Sequence, residues 1–521
     1  MAAFSNTDRD VFLVKLERMI DRGALLSRYS RTANIDIRDV YHREFESDSG
    51  RGKDFYRRVF LEYGDESVSE LVSAQLAVQN TSNIISKLIE DQRIGLSYLE
   101  KSSRYVAYNK KVSGSFLYAR PEKIGITGKA ASEYSEVCDS LFEFYSDHYK
   151  KAQEYFSKLY PIEEVLFPDE NGDEAKYESM DSSSREIADK SYHSAVRARA
   201  LDDLRALLPA STLTNIGISG NGRSFIYLIQ RLKSSRLPEA SALADEIFNE
   251  MSNELPELIN ASTNSHGKEE IEYLSSLRSG SINSTVRKEA PLIELLDWDR
   301  EPESAARVLS IAEFTRGGNN LSDIYSKYRG KIHADLAAEI EAISRMRKNR
   351  RQRPPRAFEA CSYFLQLNLN YGAFRDLQRH RFFSIERGFL SDSMGYDIPP
   401  YFRSNEDTLN EYHNLMKSVS DLHRKLRTEF GSGISQYAIT YSYRYPVSIF
   451  VNLRELVHFC ELRSTPQSHY DLRAVSAGIF NLVKEKTPAL SKIFRFVDTS
   501  EYSLGRLRSE QKKEKKLRDL Q

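Results

Sequence analysis

The chain has 521 residues, and its 75 lysines and arginines are balanced by 75 aspartates and glutamates. Zero net charge gives no global field for nucleic acid or an anionic membrane, although local basic patches can still hold phosphates. The length exceeds what one hydrophobic core usually supports, no apolar run reaches the roughly 18 residues of a membrane span, and the amino end lacks the apolar core of a signal peptide, so a two-domain cytoplasmic protein is expected.

Along the chain the pattern repeats. Tyr29-Ser30-Arg31-Thr32-Ala33-Asn34, followed by Asp39-Val40-Tyr41, runs parallel to Phe314-Thr315-Arg316-Gly317-Gly318-Asn319, followed by Asp323-Ile324-Tyr325. Gly64-Asp65-Glu66-Ser67-Val68-Ser69-Glu70 and Glu100-Lys101-Ser102-Ser103-Arg104-Tyr105 come next. Residues 128–159 carry Leu141, Phe142, Tyr145 and Tyr149 at helical spacing, which predicts an amphipathic packing helix, and residues 407–428 hold the corresponding place in the second half. The polar stretch from Pro168-Asp169-Glu170 to Ser182-Ser183-Ser184 predicts an inserted surface loop. Then follow Arg205-Ala206-Leu207-Leu208-Pro209 and Asn221-Gly222-Arg223, the latter matching Asn452-Leu453-Arg454. After these, Arg231, Glu239, Ile247 and Pro256 match Arg463, Asp471, Ile479 and Pro488 at identical spacing, with one indel between Asn and Arg. The periodicity breaks over 265–290. These matches predict a tandem duplication, with copies at 1–270 and 285–500 and a charged tail at 501–521 that ends as a solvated helix or in disorder. The secondary-structure pattern is mixed α and β with helices in the majority. Cys138, Cys361 and Cys460 are too scattered for a disulfide framework or a zinc site, and none sits in a nucleophile signature; no metal is expected.

Two segments carry the chemistry. Arg379-His380-Arg381-Phe382-Phe383-Ser384 supplies rigid guanidinium donors that can grip a phosphate bidentately. Taken alone it reads more readily as a surface basic turn, but Glu359 precedes it and Asn452, Arg454, Arg463 and Pro488 follow in order. With these residues the chain resembles the flavin-dependent thymidylate synthases, whose signature is Arg-His-Arg-x-x-Ser-x-Asn-Glu-x-Ser-x-Arg-Tyr. Residues 379–384 match its front half, while Glu100, Ser102, Arg104 and Tyr105 match its back half in the other copy. Counted from Ser97, the Arg-His-Arg positions of the first copy are Gln92-Arg93-Ile94, and Leu99 replaces the Asn. In the second copy Glu386-Arg387 replace Asn-Glu, Phe389 the Ser and Ser391 the Arg. The Arg-x-x-Leu-Pro element, present at Arg205–Pro209, has Gln436 and Thr440 at its Arg and Pro positions. The losses are complementary.

The resemblance implies an α+β fold: two fused copies of the thymidylate synthase fold, helices packed on a mostly antiparallel sheet. It implies reductive methylation of dUMP to dTMP with FAD as cofactor and NADPH and methylenetetrahydrofolate as co-substrates, at sites composed from both copies. Glu100, Ser102, Arg104 and Arg205 would hold the nucleotide; Arg379, His380, Arg381, Ser384, Asn452 and Arg454 the flavin. Arg463 would polarise the pyrimidine, stabilising negative charge as C5 becomes nucleophilic, with Arg104 and Ser102 completing the catalytic set. Arg231 would be its spare copy. The family is homotetrameric with sites between subunits, so two chains are expected to form a pseudo-tetramer. Two other readings are carried: an enzyme of the same superfamily acting on another pyrimidine or one-carbon donor, and a non-catalytic flavin- or nucleotide-binding scaffold. A nucleic-acid role would rest only on the basic run 345–353 and the tail, which reads better as a solvated loop.

Overall fold

The computed structural model describes residues 3–30, 36–46, 51–56, 66–168, 174–277, 290–317 and 320–520. Arg31 to Asn34, Gly64-Asp65, the acidic centre of the expected loop at 169–173, residues 278–289 of the expected join at 265–290 and Gly318-Asn319 lie outside these residues, while the start of that join is a helix, Ser265–Leu277. The chain forms two compact units, one of residues 1–101, 118–132 and 211–284, the other of 102–117, 133–210 and 285–521. The loop bearing Ser102 and Arg104 and the turn bearing Arg205, although from the first repeat, are thus built into the same unit as the second repeat.

The strands are β1 (Ser73–Ser82), β2 (Leu96–Glu100), β3 (Leu166–Pro168), β4 (Glu174–Lys176), β5 (Leu213–Asn221), β6 (Ile293–Trp298), β7 (Ser362–Asn370), β8 (Ser384–Arg387) and β9 (Arg444–Asn452). The first unit holds a sheet in the order β1-β5-β2; the second holds β6-β7-β9-β8 and the β3-β4 hairpin, and every pair is antiparallel. The two larger sheets are one design used twice, with β6 added at an edge. Ser73 faces Asn221 and Ser362 faces Asn452; Ser97 faces Ser219 and Ser384 faces Phe450. When Asn221 is set on Asn452 those partners coincide, so backbone pairing aligns Ser97 with Ser384. The middle strands alternate accordingly, burying Thr214, Ile216 and Ile218 in one and Tyr445, Val447 and Ile449 in the other. Each ends on an asparagine that caps the next helix: Asn221 accepts from the Ser224 N–H and Asn452 from the Glu455 N–H, both at 2.9 Å. Each cap satisfies a donor the helix would otherwise leave unpaired.

The helices after these caps are Gly222–Lys233 and Leu453–Arg463, and each is followed by a helix of 17 residues, Pro238–Glu254 or Tyr470–Lys486. The extra residue of the second copy therefore sits in the connection 464–469, where a loop absorbs it. Counted from the caps, Arg463 is matched by the buried Leu232, which corrects its pairing with Arg231.

Within the second unit, the turns Arg205–Leu207 and Gln436–Ala438 cross at a local two-fold. Ala210 N–H donates to Ile439 O at 2.7 Å, and in the equivalent bond Tyr441 N–H donates to Leu208 O at 2.9 Å. The expected long helices are Lys129–Leu159, burying Leu141, Phe142 and Tyr145, and Glu406–Ser435, broken where Gly431 takes φ 84°. Of the two outcomes expected for the tail, helix or disorder, the helix is the one observed, with a packed side that was not expected. It spans Leu507–Asp519 and packs against the helix Ser182–Leu204. Arg508 pairs with Glu174 and Arg518 with Ser183, and Leu507 and Gln511 are buried. No described helix is long and apolar enough to cross a membrane.

Candidate functional site

Two buried carboxylates in the second unit gather the predicted arginines. Asp202 sits in the last turn of the helix Ser182–Leu204 and takes a side-on pair from Arg104, Nε at 2.8 Å and Nη2 at 2.9 Å. Arg506 Nη2 adds a third donor at 3.1 Å. Burial favours the neutral acid, but Arg104 and Arg506 hold the Asp202 carboxyl far below the usual carboxylate range. Asp376, in the helix Tyr371–Leu377, receives Arg205 Nη1 at 3.3 Å, with Arg379 3.9 Å away. Burial again opposes ionisation, and Arg205, Arg104, Arg379 and Arg463 together hold it ionised.

Arg463 is tied down from two sides. Its Nη2 donates to Asp376 O at 2.9 Å and its Nε to His380 Nε2 at 2.8 Å. An arginine can only donate, so Nε2 of His380 is the bare nitrogen and Nδ1–H points to Glu455 Oε1 at 3.2 Å. Burial first, then Arg463, His458 and Arg353, keeps His380 neutral, so its contact with Glu455 is a hydrogen bond and not an ion pair. Burial pushes the Glu455 carboxyl up to about 7 against the pull of Arg353 and Arg454. His380, Glu455 and His458 could converge on a metal ion. The arginines that face them, with His380 Nε2 already accepting from Arg463, favour an anion there instead.

The Ser102-Ser103-Arg104 loop is clamped by the second copy. Arg375 Nη1 donates to the buried Ser103 Oγ at 3.0 Å, and Arg104 Nη2 donates to Gln467 O at 3.1 Å. Ser102 is half-buried, and its Oγ accepts from Arg104 N–H at 3.3 Å. Neutral His469 accepts from Asp471 N–H through Nδ1 and donates from Nε2 to Asp202 O. Arg205 is buried, yet its Nη2 has no hydrogen-bond partner. It lines a cavity of about 40 Å³ with Asn370, Gly372 and Asp471, which leaves room for water. Around Asp202 and Asp376, five guanidinium groups (Arg104, Arg205, Arg379, Arg463 and Arg506) face two carboxylates. Burial and the neighbouring guanidiniums outweigh the carboxylates at Arg463 and Arg506 and lower both.

The structure thus brings Arg104, Arg205, Arg379, His380 and Arg463 around Asp376, with Ser102 in the adjoining loop. Other predicted residues have local partners. Glu100, in the first unit, is buried with its carboxylate on Ser86 Oγ and Lys87 Nζ, each at 2.8 Å. Asn452 is the helix cap already described. Arg454 donates to Pro354 O and pairs with Glu359. Ser384 is exposed on β8 and Arg381 half-buried. Asp376, Asp202, Arg375, Glu455 and Arg506 were not singled out from the sequence. Asp376 stands three residues before Arg379, the spacing at which side chains meet on a helix, and that signal was available, whereas Asp202 is paired with the sequence-distant Arg104 and Arg506. Arg506 carried none.

A UPF0159 protein of Thermoplasma acidophilum is 47% identical over 495 residues, 95% of this chain and 99% of that protein. UPF0159 proteins of Chlamydia pneumoniae and Chlamydia muridarum are 33% and 31% identical, each over 98% of this chain and 96% of the relative. Among solved structures, the UMP/dUMP methylase PolB from Streptomyces cacaoi, bound with 5-Br dUMP, aligns with a TM-score of 0.30 at 16% identity, over 39% of this chain and 93% of that one. The flavin-dependent thymidylate synthase ThyX from Helicobacter pylori, complexed with FAD and dUMP, aligns at 0.28 and 16%, over 40% of this chain and 99% of that one. The thymidylate synthase complementing protein model matches twice, at residues 23–257 and 292–489, and the chain therefore belongs to that family as a two-copy member.

Proposed function

We propose that this chain methylates dUMP reductively to dTMP in the cytoplasm, using FAD, NADPH and methylenetetrahydrofolate, at one composite site per chain. The observation that carries the reading is the convergence of Arg104 and Arg205 from the first copy with Arg379, His380 and Arg463 from the second on one buried carboxylate. A nucleotide phosphate brings a charge of about −1.5 to −2, which would offset much of the surplus the arginines hold. Arg205 Nη2, buried without a partner, is the kind of donor such an anion would satisfy.

Arg463 is the candidate electrophile. Its Nε and Nη2 are anchored, and Nη1 has no partner among the described residues, so a fixed cation can face a uracil carbonyl without reorganising. His380 holds the arginine's direction. Arg379, half-exposed, and Arg381 offer donors suited to an anionic flavin, with the exposed Phe382 as an apolar surface beside them, so the residues present fit that cofactor. A bound flavin would supply hydride transfer, and these side chains would bind and orient it. Phe364 and Phe450 form an exposed pair across β7 and β9, which supports a second chain covering this sheet and hence the pseudo-tetramer.

The test is to purify the protein, quantify FAD released per chain, and assay dTMP formation from dUMP with NADPH and methylenetetrahydrofolate. Near one FAD per chain with dTMP formed is the expected result. Two FAD per chain would deny the division between copies, and no flavin after reconstitution would leave a scaffold.

A further inference from the structure

The last residues of the chain run straight into this site. Asp498 N–H donates to Ser464 Oγ at 3.0 Å, Arg473 reaches both Ser464 O and Ser500 O, and its guanidinium lies 4.9 Å over the Tyr502 ring. The segment then crosses the 464–469 connection at Gly505, where a Cβ would collide with Pro466 O. That connection is where the second copy carries its extra residue, and it presents Gln467 O to Arg104 and His469 to Asp202. Immediately afterwards Arg506 turns inward and is buried. Its Nη2 donates to Asp202 Oδ1 and its Nη1 to Arg104 O, each at 3.1 Å, and its guanidinium lies 4.5 Å over the Tyr105 ring. The helix Leu507–Asp519 then fixes the segment on the helix that carries Asp202.

We propose that Arg506 is a positioning residue for the nucleotide site, and that residues 498–519 form a strap completing it; this rests on the nucleotide reading of the Arg104–Arg205 cluster. Arg506 grips both ends of the Arg104 assembly, the carboxylate that orients the guanidinium and the backbone that carries it. A ligand approaching Arg104 therefore meets a preorganised donor. Without Arg506, Asp202 has one less cation and the Ser102–Tyr105 loop loses its cover.

The experiment uses the full-length, FAD-loaded protein and measures dUMP dissociation constant, FAD per chain and melting temperature for wild type, Arg506→Ala, Arg506→Lys and a chain ending at Gly505. Hydrogen bonds to charged groups set the expected scale. Arg506→Ala and the truncation weaken dUMP about tenfold with FAD per chain unchanged, Arg506→Lys recovers most of the affinity, and added guanidinium restores Arg506→Ala. Wild-type affinity in Arg506→Ala overturns the strap alone. Parallel loss of dUMP, FAD and melting temperature in both Arg506 substitutions, with no rescue, makes the residue merely structural. A wild type that holds FAD and does not bind dUMP removes the nucleotide reading and the strap with it.

Discussion

The turns at Arg205 and Gln436 are the same piece of chain in two copies, crossing each other at a local two-fold, and they have opposite polar economies. Gln436 is satisfied: its Oε1 accepts from Leu390 N–H at 2.9 Å and its Nε2 donates to Gly433 O at 3.2 Å. Arg205 is buried as deeply, yet keeps one nitrogen without a partner beside a cavity. The helices that follow differ in the same sense, in reverse: Ser224, Tyr227 and Leu232 of the first copy stand where the second has Glu455, His458 and Arg463. Each copy lacks, in one of the two places, the arginine that the other keeps: Gln436 stands opposite Arg205, and Leu232 opposite Arg463. A buried unsatisfied cation is costly in a scaffold and useful in a site for anions, and under the proposed function the location of the surplus would mark the working half of each copy.

The largest expected effect comes from erasing the difference. Arg205→Gln, which writes the second turn into the first, should weaken dUMP by about a hundredfold, because a charge-assisted pair and its orphan donor go together. The fold should survive, since Arg104, Arg379 and Arg463 still hold Asp376. Calorimetric titration beside a thermal melt decides it: a large fall in melting temperature with affinity intact would make Arg205 structural. The reverse change, Gln436→Arg, should cost about 2 kcal/mol of stability in urea unfolding, because it buries a cation in place of an amide whose two hydrogen bonds are satisfied. It should add no second nucleotide site, and a second equivalent of bound dUMP would break the comparison.

The smallest effect concerns pH. His380 and His469 are kept neutral by burial, and His148 and His458 are lowered to about 4 mainly by the same cause. Their depressed folded values mean stability that is present above about pH 6.5 and lost as the pH falls, because the unfolded chain takes up the protons. Glu455, raised to about 7, runs the other way: its contribution is present below its unfolded value and lost as pH rises through 7. Glu455→Gln removes that counterweight, so between about pH 6.5 and 4.5 its stability should fall more steeply than the wild type's. Parallel melting curves for the two proteins across that range would exclude the assigned balance.

The repeat was legible because strand pairing and capping leave fixed marks: Asn221 and Asn452 anchor both registers, and the agreement of Ser97 with Ser384 in sequence is the agreement of their backbone partners. The arginines of the site were legible for a similar reason, since their type and spacing are dictated by the anion they would hold. Two things were not. The register past the indel depends on which loop absorbs one residue, and a helical position displaced by one points about 100° away, which is how Leu232 came to stand where Arg231 was expected. Arg506 and the carboxylates act through tertiary placement, and for the tail a run of lysines signals solvation while a single inward arginine ahead of them signals nothing.

The crossing of residues 208–210 with 439–441 has a consequence for change over time. In a dimer of identical chains, every substitution at the two-fold arrives on both sides at once, so a replacement useful to one partner must be tolerated by the other. Here the two sides are encoded separately and cannot part. Pro209 can remain opposite Thr440, and Arg205 can persist while Gln436 does not, because each step needs to suit only one side of the axis.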